Sequence, residues 1–230
     1  MKASFLDTLL VAQPELEWLY SIQPRSGSPG KTYQLCKRGL DLLLVTLSLP
    51  LWLPLLGLCA LLIKLESPFD PIFFFQQRTG KGGHRFDMLK FRTMVVNAAE
   101  LKKQLMHLNE LQYPDFKISN DPRITFVGKL LRKTSLDELP QIINVIRGEM
   151  TLVGPRPTSF SADTYQLWQT ERLDVTPGIT GLWQIMGRGS TEFDTRLRLD
   201  IAYMERRSMW LDIQILIRTF VTVVTQRGIH

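Results

Sequence analysis

A chain of 230 residues with 44% hydrophobic side chains has room for one sizeable domain, or a small domain with an appendage. Its mean hydropathy of −0.02 excludes a polytopic membrane protein. Its two cysteines, Cys36 and Cys59, form no metal-type or disulfide-framework spacing, which points to a reducing compartment. A net charge of +6 asks for an anionic partner: nucleic acid, phospholipid head groups or a phosphorylated substrate.

In chain order, Pro14, Pro24 and Pro29 with the Ser26–Gly30 cluster predict a loosely structured leader over 1–36 with room for one short helix. Glu15 and Glu17 interrupt it too early for a signal peptide. From Leu42 to Ile63 no side chain is charged, and Thr46 and Ser48 are the only clearly polar ones. As a straight helix this run would measure about 33 Å at roughly 1.5 Å per residue, enough to cross a hydrocarbon core. Pro50 and Pro54 interrupt it, each deleting a backbone donor and crowding the preceding turn. Arg25, Lys31, Lys37 and Arg38 precede the run and Lys64, Arg78, Lys81 and Arg85 follow it. Both flanks therefore read as cytoplasmic, which a helix that enters and returns on one side satisfies and a single pass does not.

Beyond the run, Ile72–Gln77 and Arg85–Phe91 predict a hairpin around a glycine-rich connection. Leu101, Leu105, Leu108 and Leu111 space an amphipathic helix over Glu100–Leu111, and Ile124–Val127 reads as a short strand. Helices follow near Gly128–Arg132 and from Asp137 to Arg147, the second ended by Gly148. Thr151–Val153 reads as a strand, Ser161–Glu171 as a helix and Thr176–Ser190 as a glycine-bearing loop. Two helices close the chain, around Phe193–Arg207 and Trp210–Thr225, the last amphipathic enough to lie in a membrane interface. The fold class expected is α/β, mainly helical, with a small β-hairpin.

Four places carry candidate chemistry. With Asp137 as N-cap, Asp137 and Glu138 would sit at the positive end of a helix, with Pro140 harmless in its first turn. An ionised carboxylate there suits attack on phosphorus and its neighbour suits a hard cation, but the same residues read as an ordinary acidic helix start. Lys90 and Arg92, two apart on a strand, share a face and would present two cations to a diphosphate, unless that face is merely solvated. Arg156, rigidly presented between Pro155 and Pro157, suits a bidentate phosphate contact or a plain surface turn. Trp183, Gln184 and Arg188 offer a nucleotide an aromatic ring, an amide and a guanidinium, though Trp183 reads equally as core. His84, His107 and His230 do not cluster, and no nucleic-acid-binding pattern appears.

These features stand in a recognisable order. Lys37-Arg38 and Asp41 precede the apolar run with Pro54; Gln77-Arg78-Thr79-Gly80, Lys90-Phe91-Arg92-Thr93-Met94 and Asp121-Pro122-Arg123-Ile124-Thr125 follow. Then come Arg132-Lys133-Thr134-Ser135-Leu136-Asp137-Glu138-Leu139-Pro140-Gln141, Gly154-Pro155-Arg156-Pro157 and Thr176-Pro177-Gly178-Ile179-Thr180-Gly181-Leu182-Trp183-Gln184. From Lys37 to Gly228 the chain resembles the bacterial sugar transferase family, the monotopic phosphoglycosyl transferases.

The resemblance implies a magnesium-dependent enzyme that moves a sugar-1-phosphate from a UDP-sugar to undecaprenyl phosphate and releases UMP, initiating glycan assembly. It implies a re-entrant membrane helix over 37–65, bent near Pro50–Pro54, and a compact cytoplasmic catalytic domain over 66–230. The enzyme would sit in membrane lipid at the cytoplasmic face of the inner membrane, with no nucleic-acid partner and with homo-oligomerisation left open. Carried over by position, Asp137 is the nucleophile, Glu138 and Asp137 hold Mg²⁺, and Arg132 and Arg156 contact phosphate. Lys90 and Arg92 belong to the same site, and Gln184 and Arg188 to the nucleotide. One departure stands out: Leu53 occupies the position before Pro54 where the family typically has serine. The rival readings are a membrane phosphohydrolase working through an aspartyl-phosphate and a non-catalytic basic membrane adaptor. Nothing in the sequence selects the sugar.

Overall fold

The computed structural model describes residues 30–110, 116, 118–186 and 193–225. The chain divides into two compact units. One, the apolar-helix unit, comprises Leu44–Gln77 and Asp87–Arg147; the other, the carboxy-terminal unit, comprises Met1–Leu43, Arg78–Phe86 and Gly148–His230. The described elements are mostly helical, with two sheets of two strands each.

Helix α1 runs over Lys31–Leu47, so residues 31–36, expected in the leader, are helical; residues 1–29 lie outside the described residues. Helix α2 runs over Leu49–Glu66 and is long and apolar enough to cross a membrane by length and composition. The break between the two falls at Ser48, ahead of the Pro50–Pro54 interval expected to hold it. Pro50 lies in the first turn of α2, where its missing N–H breaks no ladder, and Pro54 is carried inside the helix. The Ser48 hydroxyl donates to the carbonyls of Leu44 and Val45 at 2.7 and 3.3 Å, and the Trp52 indole N–H donates to the Val45 carbonyl at 2.9 Å. The Leu44 and Val45 carbonyls at the break are thus satisfied from within the run, without a serine at Leu53.

Leu55, Leu56, Cys59, Ala60 and Ile63, at helical spacing, form the buried stripe of α2. That stripe packs on Phe91, Val127 and Leu131, with Ile72 and Phe73 beside them. Leu51, Leu53, Leu58, Leu61 and Leu65 lie exposed on the rest of α2. The hairpin strands are β1 (Phe73–Thr79) and β2 (Arg85–Phe91), with the Phe73 and Phe91 rings stacked 5.7 Å apart. Helix α3 covers only Ala98–Gln104 before a 3₁₀ turn at Met106–Leu108; Leu111, its expected end, lies outside the described residues.

The strand expected at Ile124–Val127 is a single bridge between Met94 and Ile124, because Thr125 caps a helix there. Helix α4 spans Phe126–Lys133, and the Thr125 hydroxyl accepts from the Gly128 amide at 3.0 Å. Gly128 is required by space: a Cβ there would lie 2.2 Å from the Thr93 carbonyl oxygen. The chain then turns through Ser135 at φ 56°, makes a 3₁₀ turn at Leu136–Glu138, and enters α5 at Gln141–Arg147. Asp137 is therefore not the N-cap of that α-helix, which starts four residues later.

In the carboxy-terminal unit β3 (Thr151–Val153) pairs in parallel with β4 (Gly178–Thr180). Helix α6 (Leu182–Met186) follows at once, so the loop expected over Thr176–Ser190 holds a strand and a short helix; residues 187–190 lie outside the described residues. The glycine there serves contact, since a Cβ on Gly178 would lie 2.1 Å from the Gly154 nitrogen. The helix expected at Ser161–Glu171 is two 3₁₀ segments, Ala162–Thr164 and Leu167–Asp174. Helices α7 (Phe193–Arg206) and α8 (Met209–Thr225) match their expected positions. Val153, Leu182, Leu199, Ala202, Tyr203, Leu211 and Ile215 form the core. Within it Asp212, 1% exposed, accepts from Tyr33, Lys37 and Tyr203 at 2.9, 2.9 and 2.6 Å. That network fixes the start of α1 on α8.

Candidate active site

The Asp137–Glu138 pair stands on the 3₁₀ turn between α4 and α5, both residues half-buried. Leu136 before the pair and Leu139 after it pack against the apolar cluster of Cys59, Ile63, Phe91 and Leu131. The two carboxylates are thereby carried on an apolar footing, with the Ser135 backbone in the left-handed region directing the chain into the turn. Strained backbone of this kind costs about 1–3 kcal/mol and is typical of functional turns.

Cations surround the pair. The Lys90 ammonium lies 2.8 Å from Glu138 Oε1, with both side chains largely withdrawn from water. Arg132 stands in the last turn of α4, and its Nε donates to the Thr93 hydroxyl at 2.9 Å. Arg132 is exposed as a residue, yet packing around its guanidinium pulls its pKa below the usual arginine value. The carboxylates of Asp137 and Asp121 oppose that shift. Asp121 is itself held below the usual carboxylate range by its buried hydrogen bonds to Arg123. The charges that face this turn are thus those of neighbouring cations, in place of the helix end expected there.

The remaining sequence candidates are distributed differently. Arg92 follows the last residue of β2; its Nε donates to the Pro71 carbonyl at 2.9 Å and its guanidinium lies 6.0 Å from the Phe74 ring centre. Lys90 and Arg92 therefore serve different partners rather than one shared face. Arg156, half-buried between its prolines, belongs to the carboxy-terminal unit, where its carbonyl accepts from Arg172. Arg172 is in turn paired with Asp200 at 2.7 Å. Gln184 is on α6, only 4% exposed, and donates to the Ile179 carbonyl at 3.2 Å. Arg188 lies outside the described residues.

One residue that the sequence did not single out completes the apolar-helix unit's site. Asn144 of α5, with no exposed surface, accepts from the Leu89 amide at 3.0 Å and donates to the Asp87 carbonyl at 2.8 Å. Its amide acts as a one-residue partner strand for β2 and fixes Lys90, the next residue, against Glu138. Only its place on the same helix face as Gln141 hinted at this.

Among the described residues no three of His, Cys, Asp and Glu gather into a metal cage. The adjacent Asp137 and Glu138 carboxylates offer hard oxygen donors of the sort that hold Mg²⁺ when substrate phosphates and water supply the other ligands. The donor set fits that ion.

A family model described as bacterial sugar transferase matches residues 32–226, which takes in the described elements from the first turn of α1 to the end of α8. The chain belongs to the bacterial sugar transferase family. Among its relatives, the exopolysaccharide production protein ExoY of Rhizobium meliloti is 39% identical over 201 residues, covering 84% of this chain and 88% of ExoY. The UDP-glucose:undecaprenyl-phosphate glucose-1-phosphate transferase of Caulobacter vibrioides is 40% identical over 218 residues, covering 90% of this chain and 76% of that protein. The undecaprenyl-phosphate galactose phosphotransferase of Salmonella typhimurium is 42% identical over 172 residues, covering 73% of this chain. The match spans only 36% of the Salmonella protein's length.

Proposed function

We propose that this chain transfers a sugar-1-phosphate from a UDP-sugar to undecaprenyl phosphate, with UMP as the leaving product. The observation that carries the reading is the Asp137–Glu138 turn flanked by Lys90 and Arg132. The family membership and the substrates in the names of the relatives support it.

In the first step an Asp137 carboxylate oxygen attacks the phosphorus that bears the sugar. An oxygen–phosphorus bond forms, the bond from that phosphorus to the bridging oxygen of the diphosphate breaks, and UMP departs with the electron pair. In the second step a phosphate oxygen of the lipid attacks the same phosphorus and expels Asp137 as a carboxylate, giving the lipid diphosphate sugar. Lys90 and Arg132 offset the negative charge that two phosphate-bearing substrates bring together. Lys90 also holds Glu138 at a fixed position beside the nucleophile. Arg156, Arg92, Gln184 and Arg188 are assigned to substrate binding. Mg²⁺, held by Asp137 and Glu138, would neutralise phosphate charge when bound.

The acceptor's phosphate lies at a bilayer surface, so the site belongs there. The exposed leucines of α2 suit burial in lipid, and the exposed Trp210, Ile217, Phe220 and Val221 of α8 suit a membrane interface. We assign the helix pair around Ser48 as re-entrant, with the enzyme monotopic on the cytoplasmic face.

The test is UMP release from UDP-sugar with undecaprenyl phosphate and Mg²⁺, run over a panel of UDP-sugars. Asp137→Asn is expected to reduce it on the order of 10³-fold or more. Near-normal turnover in that variant would refute the nucleophile. Sugar phosphate released to water without lipid acceptor at the full rate would instead indicate a phosphohydrolase.

A further inference from the structure

The carboxylate of Glu66 is not among the groups the reaction uses. It lies exposed on the last turn of α2, three residues beyond the buried Ile63. Its two oxygens accept from two successive backbone amides, those of Phe126 at 2.8 Å and Val127 at 3.1 Å. These are orphan donors of the first turn of α4, and an anion there is favoured by both hydrogen bonding and the helix dipole. The Thr125 hydroxyl takes the next amide, that of Gly128, so the first three amides of α4 are all satisfied.

The end of α2 that carries Glu66 is itself tied down. Lys64 donates to the carbonyls of Pro68 and Asp70 at 2.9 and 2.8 Å, closing the chain's exit from the helix. At its other end α4 delivers Arg132 and then the Leu136–Glu138 turn. Leu136 and Leu139 of that turn pack against the apolar cluster to which α2 contributes Cys59 and Ile63 and α4 contributes Leu131. Apolar contact fixes how closely the two helices approach but resists sliding weakly, because it is non-directional. A bidentate contact to two adjacent amides is directional and resists sliding.

We propose that Glu66 is a positioning residue that locks the register of α4 against α2, and so sets where Arg132 and the Asp137–Glu138 turn stand. This rests on the reaction assigned above, with Glu66 acting on it through α4. Its effect therefore falls on turnover more than on binding of the nucleotide-sugar. It also differs from a generic cap in being supplied by the apolar helix itself. Displacement of α2 is transmitted to the catalytic turn through this contact.

The experiment compares the full-length chain in detergent with Glu66→Gln, Phe126→Pro and the double variant. Glutamine keeps the length of the side chain but presents one acceptor in place of two. Proline at Phe126 deletes one of the two donors at a first helical position that tolerates it, with Thr125 already extended at φ −70°, ψ 165°. Glu66→Gln is expected to lower kcat about five- to tenfold with KM for UDP-sugar unchanged. Phe126→Pro is expected to act in the same direction, and the double variant to be less impaired than the product of the two. Amide hydrogen exchange over residues 133–139 should quicken in Glu66→Gln, a readout independent of any turnover. Unchanged exchange there, strictly multiplicative effects, or a rise in KM with kcat intact would each overturn the proposal. Quickened exchange in a chain that shows no transfer activity would support the positioning contact and count against the reaction alone.

Discussion

Replacing Asn144 with alanine tests the geometry of the site at its most buried polar contact. The substitution removes the acceptor of the Leu89 amide and the donor to the Asp87 carbonyl, at 3.0 and 2.8 Å. Asn144 has no exposed surface, so water cannot replace it without entering the packing of α5 on β2. The buried amide left without a partner costs about 1–3 kcal/mol, and the partly buried carbonyl about 1 more. A total near 3 kcal/mol lowers the thermal midpoint of a chain this size by roughly 6–12 °C. Asn144→Asp refines the test. A carboxylate still accepts from Leu89 but faces the Asp87 carbonyl with no proton to donate. Burial raises the pKa of that new carboxyl above its unfolded value. The stabilisation from its protonated form is then present at low pH and lost as pH rises through the raised pKa. The assay is thermal unfolding of both variants at pH 5 and 7.5, beside transferase activity. The alanine variant should melt low at both pH values, and the aspartate variant should recover at pH 5. An alanine variant melting within about 2 °C of the parent, with full activity, would refute the claim that Asn144 holds β2 and Lys90 in place.

Three further outcomes are expected. Gly128→Ala places a methyl group 2.2 Å from the Thr93 carbonyl, so α4 must lift away; stability should fall by about 2 kcal/mol or more, read by denaturant unfolding. Trp52→Phe keeps an aromatic ring but removes the donor 2.9 Å from the Val45 carbonyl; it should cost about 1 kcal/mol or more, and more than additively with Ser48→Ala, since both side chains serve that carbonyl. If both flanks of the apolar run are cytosolic, single cysteines placed at Arg38 and Lys81 should be protected from an impermeant thiol reagent in intact cells and react after lysis; labelling of either from outside would contradict the re-entrant assignment.

What the sequence made legible was periodic or local. Helices α7 and α8 were readable because their apolar positions recur at helical spacing over long stretches. The Asp137–Glu138 pair was readable as chemistry but not as geometry. Ser135 at a positive φ diverts the chain into a 3₁₀ turn, and the α-helix starts only after Pro140. Thr176–Ser190 was read as a loop from its glycines and Pro177, whereas Gly178 is there to let β4 approach Gly154. The break in the apolar run was assigned to Pro50–Pro54 because proline dominates local expectation. Its actual place, Ser48, depends on an indole four residues further on. Glu66 and Asn144 were illegible for a related reason. Their partners lie 60 and 55 residues away, and only the folded chain brings them within hydrogen-bond reach.

The packing of α2 on α4 also gives the chain a built-in clock. Cys59 lies on the buried stripe, 2% exposed, while Cys36 on α1 is open to solvent. A small thiol reagent will consume Cys36 promptly and then wait for Cys59. The delay between the two reactions measures how often the apolar helix parts from the helix that carries the active-site turn. Because both thiols are native, that opening rate is accessible in the unmodified protein, with the first reaction serving as the internal zero of time.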